Sequence, residues 1–293
     1  VGGGARGSRG KGLAAAKAAG WAVGRATAGP AAAMTSLLAK QVAAFRVQHG
    51  IPEKPGKKGA PPPSILFSPQ EAKWHDSDAF AALGRKGIEE ASVLDPDIAA
   101  CMFLFNGPAP DRELMTREEN EKLNVHIRQL LRLLSPHLQA QAAQECLEGL
   151  IHRYHAHRWN VDDIMGCALP YHDSPLFTRL LQALHIEGKA QWQWMKPIKD
   201  KPATLVRAVL AKYCGKDLAL LVFIGGWVQE TVKLQKTNRA LATFFASVWL
   251  DTLASVKSVS PDLVDAALLP VLSALRRPHL RDTFHAALAV AAA

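Results

Sequence analysis

An all-α array of paired helices, an irregular HEAT-like α-helical solenoid, is the fold the sequence predicts, and three observations predict it. Helix starts recur along the chain with the same capping chemistry. The apolar residues between them follow helical spacing, and no segment alternates convincingly as a strand does. Dividing residues 64–293 evenly gives roughly five helix pairs of ~40 to 47 residues, the period of an α-hairpin repeat. The repeats are not visibly self-similar, and a compact helical bundle is the alternative architecture.

The starts come first. Ser, Thr or Asp can accept from the free N–H groups of a first helical turn, and Pro tolerates the first helical position. Ser68-Pro69 with Glu71 and Thr116 with Glu119 fit the reciprocal capping box, while Asp95-Pro96, Ser174-Pro175 and Ser260-Pro261-Asp262 are simpler starts. Asp162-Asp163 after Asn160 reads as an acid pair favoured at a helix N-terminus.

Apolar faces come after each start. Leu123, Ile127, Leu130, Leu131 and Leu134 form one, and Ala143, Leu147, Leu150, Ile151 and Tyr154 the next. Leu205, Val206, Val209, Leu210 and Tyr213, then Leu241, Phe244, Phe245, Val248 and Thr252, then Leu263, Val264, Leu268, Leu272 and Leu275 complete the set. Short breaks such as "SPHL", "LPYHDSP", "VSPD" and "RRPH" join them. With 48% apolar residues in 293, the chain can bury a large core, which excludes disorder throughout.

The first 63 residues differ. Residues 1–33 are Gly/Ala-rich and acid-free, composed like a transit peptide or a Gly/Arg-rich RNA-contacting tail, and an unstructured leader upstream of a start at Met34 is expected. Thr35 to His49 suggests a short helix through Leu37, Leu38, Val42 and Phe45, and "GIPEKPGKKGAPPP" (50–63) is a linker. The expected organisation is therefore a leader over 1–33, a short helix and linker over 34–63, and a helical domain over 64–293.

Charge sharpens this division. The formal charge is +9, yet residues 1–63 carry 10 Lys/Arg against the single acid Glu53, leaving 25 against 25 beyond. A basic arm of this kind attracts phosphates, and Arg6, Arg9, Lys11, Lys54, Lys57 and Lys58 are its candidate RNA contacts. A neutral body argues against a broad nucleic-acid face.

Cys101, Cys146, Cys167 and Cys214 stand far apart with no C-x-x-C pair, which suits free buried thiols better than a disulfide frame. The longest apolar run, Leu218 to Val228, is shorter than the ~20 residues that span a bilayer, so no membrane contact is expected.

The densest chemistry lies in "LIHRYHAHRWN", residues 150–160, with His152, His155 and His157 beside Arg153 and Arg158. On a continuous helix Leu147, Leu150, Ile151 and Tyr154 share a core face, His152 and Arg153 point away from it, and His155 and His157 diverge by about 160 degrees. Three imidazoles do not converge on one ion; a His152/His155 pair would need a third ligand from a neighbouring helix. Cys167, five residues before His172, must be weighed with it and Asp173 as a thiol nucleophile against the commoner reading of a buried Cys and a loop His. Trp192 and Trp194 beside Lys196 and Lys199 could stack on bases, although aromatics in such a setting more often wedge between helices. The phosphate-cradling P-loop pattern, G-x-S-x-G and H-E-x-x-H are missing from the sequence, and no catalytic residue, metal, cofactor or small-molecule substrate is expected.

"SILFSPQEA" (64–72), "DAFAALGRKGIEEASVLDP" (78–96), "CLEGLIHRYHAH" (146–157), "LPYHDSPLFTRLLQAL" (169–184) and "YCGKDLALLVFI" (213–224) are distinctive in this order. They resemble the N-terminal domain of a family of large HEAT-repeat ribosome-biogenesis proteins. That family is known as U-three small-nucleolar-RNA-associated protein ten or HEAT repeat-containing protein one. The resemblance runs from "MTSLLAKQ" at Met34 to residue 293. It implies a nucleolar, non-catalytic scaffold of the small-subunit processome, within the subcomplex UtpA. The implied partners are WD-repeat subunits of UtpA, the U-three small nucleolar ribonucleoprotein and the five-prime external transcribed spacer of pre-ribosomal RNA. The linker at 50–63 and the short length depart from the family pattern. His152, Arg153, His155, His157, Arg158, Tyr171 and His172 are the expected partner-facing residues.

Overall fold

The computed structural model describes residues 62–293. The leader, the Thr35–His49 helix, the linker up to residue 61 and the basic-arm residues Arg6, Arg9, Lys11, Lys54, Lys57 and Lys58 lie outside the described residues. Ser64 Oγ accepts from the N–H groups of Leu66 and Phe67, and Ile65, 1% exposed, is the first core residue.

Twelve α-helices are present among the described residues. They are α1 (Ser77–Ala91), α2 (Arg117–Leu134), α3 (Gln141–Tyr154), α4 (Ala156–Trp159), α5 (Val161–Ala168) and α6 (Pro175–Ala183). Then come α7 (Lys196–Asp200), α8 (Arg207–Cys214), α9 (Ala219–Lys233), α10 (Arg239–Ser255), α11 (Pro261–Leu275) and α12 (Arg281–Ala292). Five 3-10 segments join them, and the described residues contain no strand.

Side-chain caps set five of the twelve described α-helix starts. Thr116 accepts from Glu119 N–H while the Glu119 carboxylate takes the Thr116 N–H at 2.8 Å, a complete capping box. Ser68 and Glu71 make the same reciprocal pair. Ser174 accepts from Phe177 N–H and Ser260 from Leu263 N–H, each with Pro in the first turn. Asp95 also caps, but it starts a ten-residue 3-10 segment, Pro96–Phe105, instead of the expected α-helix. That segment tucks against α1 and α2 and buries Ile98, Cys101, Leu104 and Phe105.

The packing order is that of a two-layer array. In the C-terminal half each helix packs against the next but one: α8 against α10, α10 against α12, and α9 against α11. The rows are then joined through α9–α10 and α11–α12 contacts. Near the N-terminal end α1 lies on α3, with α2 packing against α5. One continuous apolar core runs from Ile65 to Val290. Its helices close tightly where side chains are missing: a Cβ on Gly149 would stand 2.8 Å from Gly84 Cα. The Phe105 ring fills the space beside both glycines.

Two predicted faces are corrected. Around α8 Leu205 and Leu210 are buried, but Val206 and Val209 are 57% and 47% exposed. The helix starts only at Arg207, so Val206 precedes it and the five-residue face never forms. In α11 the buried residues are Leu263, Pro270, Val271 and Ala274, while Val264, Leu268 and Leu272 face outward. Apolar residues encircle α11, so spacing alone selects no face. The choice falls to α9, where a Cβ on Gly225 would meet Pro270 Cγ at 2.9 Å. The other three predicted faces bury as expected, apart from a half-buried Leu123.

Gly166 of α5 offers a direct check on this packing, because a Cβ there would stand 1.8 Å from the Trp227 ring of α9. Gly166→Ala is expected to destabilise the domain by about 1 to 3 kcal/mol through overpacking, read as a lowered urea midpoint at unchanged slope.

Candidate functional site

The histidine-rich stretch lies where the chain breaks its helical path. α3 ends at Tyr154, His155 takes a left-handed conformation (φ 49, ψ 39), α4 makes one turn, and Asn160 (φ −116, ψ 35) leads into α5. A continuous-helix projection therefore holds only as far as Tyr154, and the predicted directions of the imidazoles change.

Each side chain then has a specific place. His152 lies flat on Phe80 of α1, ring centroids 3.5 Å apart, and its Nε2 is 3.0 Å from Glu148 Oε1. The other oxygen of the fully buried Glu148 carboxylate accepts from Ile65 N–H at 2.9 Å. The pair thus ties the entering segment to α3. Arg153 Nη2 donates toward the carbonyls of Asn106, Gly107 and Pro108 at 2.7 to 3.0 Å, and Tyr154 Oη donates to the Leu104 carbonyl. Both residues thereby hold the chain that leaves the 3-10 segment.

His157 is buried, and its carbonyl accepts from His185 N–H at 2.9 Å. Burial pulls its imidazole pKa down to about 3, and the nearby His155 and Arg158 add to the shift. Desolvation also lowers His155 and His185.

Further along, Tyr171 Oη donates to the Ser135 carbonyl at 2.6 Å, and His172 Nδ1 is 2.6 Å from the Leu205 carbonyl. Asn238 Nδ2 donates to Ser135 Oγ, which in turn donates to the Cys167 carbonyl. These bonds join the ends of α2 and α5 to the start of α10.

Of the seven residues expected to face a partner, the structure leaves His155 exposed and Arg158 partly so. The expectation is corrected for Arg153, His157, Tyr171 and His172, which are under 10% exposed, and for the His152 side chain at 4%. Phe80 of α1 covers His152 on the side of α3 that a single-helix projection leaves open, Arg153 is drawn onto the 106–108 carbonyls, the break at His155 redirects His157, and Tyr171 and His172 are held by the Ser135 and Leu205 carbonyls. His152 is held by Glu148 and Phe80, so the candidate two-histidine pair does not converge. Among the described residues no group of three or more His, Cys, Asp or Glu side chains is placed to hold a metal ion.

The Cys167 pairing dissolves as well. Cys167 is buried and its thiol is pushed up to about 12, the direction opposite to that of an activated nucleophile, while His172 is engaged at Leu205. Asp162 of the helix-start pair accepts from Trp192 Nε1 at 2.7 Å, and Asp163 pairs with Arg128 of α2 at 2.7 Å. Trp192 is 1% exposed and Trp194 stacks on Tyr213 at 4.4 Å, so both act as wedges.

The network beneath the turn is the part that sequence reasoning missed. Arg112, 2% exposed, donates to Asn120 Oδ1 (3.0 Å), Asn160 Oδ1 (2.8 Å) and Asn124 Oδ1, and its guanidinium lies 4.8 Å from the Trp159 ring centre. Arg112 falls in a loop between predicted helices, and no spacing rule links it to the three asparagines.

No protein-family model matches the chain. Human HEAT repeat-containing protein 1 is 34% identical over 230 residues, which is 75% of this chain and 11% of the relative. An uncharacterized Arabidopsis thaliana protein is 35% identical over 246 residues, 83% of this chain and 11% of its own. The U3 small nucleolar RNA-associated protein 10 of Mycosarcoma maydis is 28% identical over 237 residues, 76% of this chain and 10% of the relative.

The chain belongs to the HEAT repeat-containing protein 1 family.

It spans about a tenth of the length of the curated relatives it matches. Its all-α solenoid agrees with the repeat type in the family's name. In this member of the family the histidine-rich turn is an architectural joint, built from a stacked His152, a buried His157 and the Arg112 network below them.

The depressed His157 pKa has a sign that can be checked. The folded state holds this imidazole neutral to about pH 3, whereas an unfolded His titrates near 6.5. Between those values the unfolded chain binds more protons, so stability is full above about pH 6.5 and falls as the pH drops. His157 alone is expected to contribute a loss of about 2 kcal/mol from pH 7 to pH 5. Urea unfolding at several pH values should show that part of the slope vanish in His157→Gln.

Proposed function

We propose that this chain is a non-catalytic scaffold segment of small-subunit ribosome biogenesis. It would act in the nucleolus within UtpA, bind WD-repeat subunits of that subcomplex, and join the U-three small nucleolar ribonucleoprotein and the five-prime external transcribed spacer of pre-ribosomal RNA. Early pre-ribosomal RNA processing and ribosomal RNA transcription are the processes it would support.

The observation that carries this reading is the extent of the match. About three quarters of the chain aligns with a relative named HEAT repeat-containing protein 1, and a similar share aligns with one named U3 small nucleolar RNA-associated protein 10. The physical features agree with a scaffold. His152, His157 and His172, which suggest chemistry in the sequence, hold helices together, the four thiols are buried, and the charge-balanced body favours protein contact over a broad phosphate-binding face. The helical domain would occupy 64–293, preceded by the leader and linker. His155 and Arg158 are the members of the predicted partner set with surface to offer.

Arm-driven RNA binding is a second reading, favoured by the 10 Lys/Arg against one acid in residues 1–63. It is compatible with the first and separable from it. Pull-down of the isolated chain against each UtpA subunit should retain at least one WD-repeat subunit, and failure with all of them would sink the scaffold reading. Deleting residues 1–63 should leave that interaction intact. It should also flatten the dependence of spacer-RNA affinity on salt, measured by filter binding, because the arm supplies the phosphate contacts.

A further inference from the structure

The groove between α8 and the C-terminal end of α10 stands apart from the histidine-rich turn and plays no part in it. It encloses about 800 Å³ and is open to solvent. Its lining includes the small residues Ala208, Ala211, Gly215 and Ala254. Three lysines line it as well: Lys212 on α8, Lys216 just past the end of α8, and Lys257 just past α10.

All three lysines are exposed. The one carboxylate that lines the groove, Asp251, is matched by Arg207 across the α8–α10 contact, with Nε to Oδ2 at 2.6 Å. The rim therefore carries an uncompensated positive charge on both walls. This occurs in a part of the chain whose overall charge is balanced.

We propose that this groove is a docking site for an acidic, amphipathic segment of a partner protein. The proposal deepens the scaffold reading and rests on it. Small side chains in the lining, with Ala211 buried between the helices, leave room for the alkyl face of an inserted helix or extended strand, the arrangement in which a peptide lies in a groove between helices. Carboxylates on the occupant's upper edge meet lysines on either wall, so charge fixes its register while the lining supplies burial. Charge complementarity excludes a basic occupant. No aromatic side chain lines the groove, and stacking platforms are what a single-stranded RNA track requires, so the lining favours peptide over nucleic acid.

The test uses the full 293-residue chain and fluorescence anisotropy at about 150 mM salt, where distant charges are screened. The probe is a labelled helical peptide of about 18 residues built from Glu, Ala and Leu with one alkyl face. The same peptide with Gln for Glu and a short oligouridine serve as controls. Two variants are compared with the parent: Lys212→Glu/Lys216→Glu/Lys257→Glu, and Ala254→Trp, which fills the groove without changing charge. Unchanged melting temperatures establish that both still fold.

The expected result is saturable binding of the acidic peptide, weakened roughly tenfold by either variant, with the Gln peptide binding less tightly. Loss in the lysine variant with full retention in Ala254→Trp would overturn the proposal, since binding would then depend on charge and not on the groove. So would equal binding by all three proteins, or a lysine effect confined to oligouridine, which would reassign the site to RNA. If the peptide fails while a UtpA subunit is still retained, the groove assignment alone is lost.

Discussion

Everything around the histidine-rich turn depends on one buried cation that has no carboxylate directly on it. Arg112 enters the interior from a loop and distributes its guanidinium among Asn120 and Asn124 of α2, Asn160 ahead of α5 and the Tyr154 carbonyl at the end of α3. Desolvation pulls its pKa down to about 10, so it remains charged at neutral pH and must be satisfied by dipoles. The last carbonyls of a helix lack partners and carry partial negative charge, which makes the end of α3 a natural place for such a cation. Tyr154 is the last helical residue because His155 turns left-handed. Arg112 and the turn thus define each other: without the break no free carbonyl is presented, and without the cation the break buries an unpaired one.

The same logic explains which parts of the fold were legible in the sequence. Caps are local, and Thr116, Ser174 and Ser260 accept from their own first turns as their spacing implies. The core face of α3 was legible for the same reason, since Leu147, Leu150, Ile151 and Tyr154 lie within one helix. What failed was any inference that needed a second element. Glu148 and His152 stand four apart, the spacing of a helical pair, yet only α1 and Phe80 decide that the pair is buried. In α11 the buried face is chosen by Gly225 on another helix. The break at His155 has a weaker excuse, for His is among the residues enriched at positive φ, and two further histidines and an aromatic nearby masked the signal.

Reading the candidate site by residue type alone would have produced an enzyme or a metal protein. The structure divides the same residues by what they hold. His152 fastens the entering chain, His157 fills space beside His185, and Tyr171 and His172 join helices distant in sequence. Polar groups suit this work in a helical array, because bonds to carbonyls specify one alignment where apolar packing tolerates several. The lowered pKa of His157 results from that structural use and does not mark chemistry, which is why perturbed titration needs a cleft and a partner group before it indicates a site.

The layered order of the helices sets how far any of these effects can travel. With α8, α10 and α12 in one row and α9 and α11 in the other, most contacts reach only the next or next-but-one helix, and stability approximates a sum of neighbour interfaces. Bridges to the C-terminal rows include Arg132 to Glu230 at 3.2 Å, Trp227 beneath Gly166, Asn238 to Ser135, His172 to the Leu205 carbonyl and Lys236 to Asp95. The α8–α10 groove contains none of these bridging residues, so its lysines can be reversed without disturbing the Arg112 network. That separation lets the exposed rim between α8 and α10 change while the polar joint around Arg112 stays fixed.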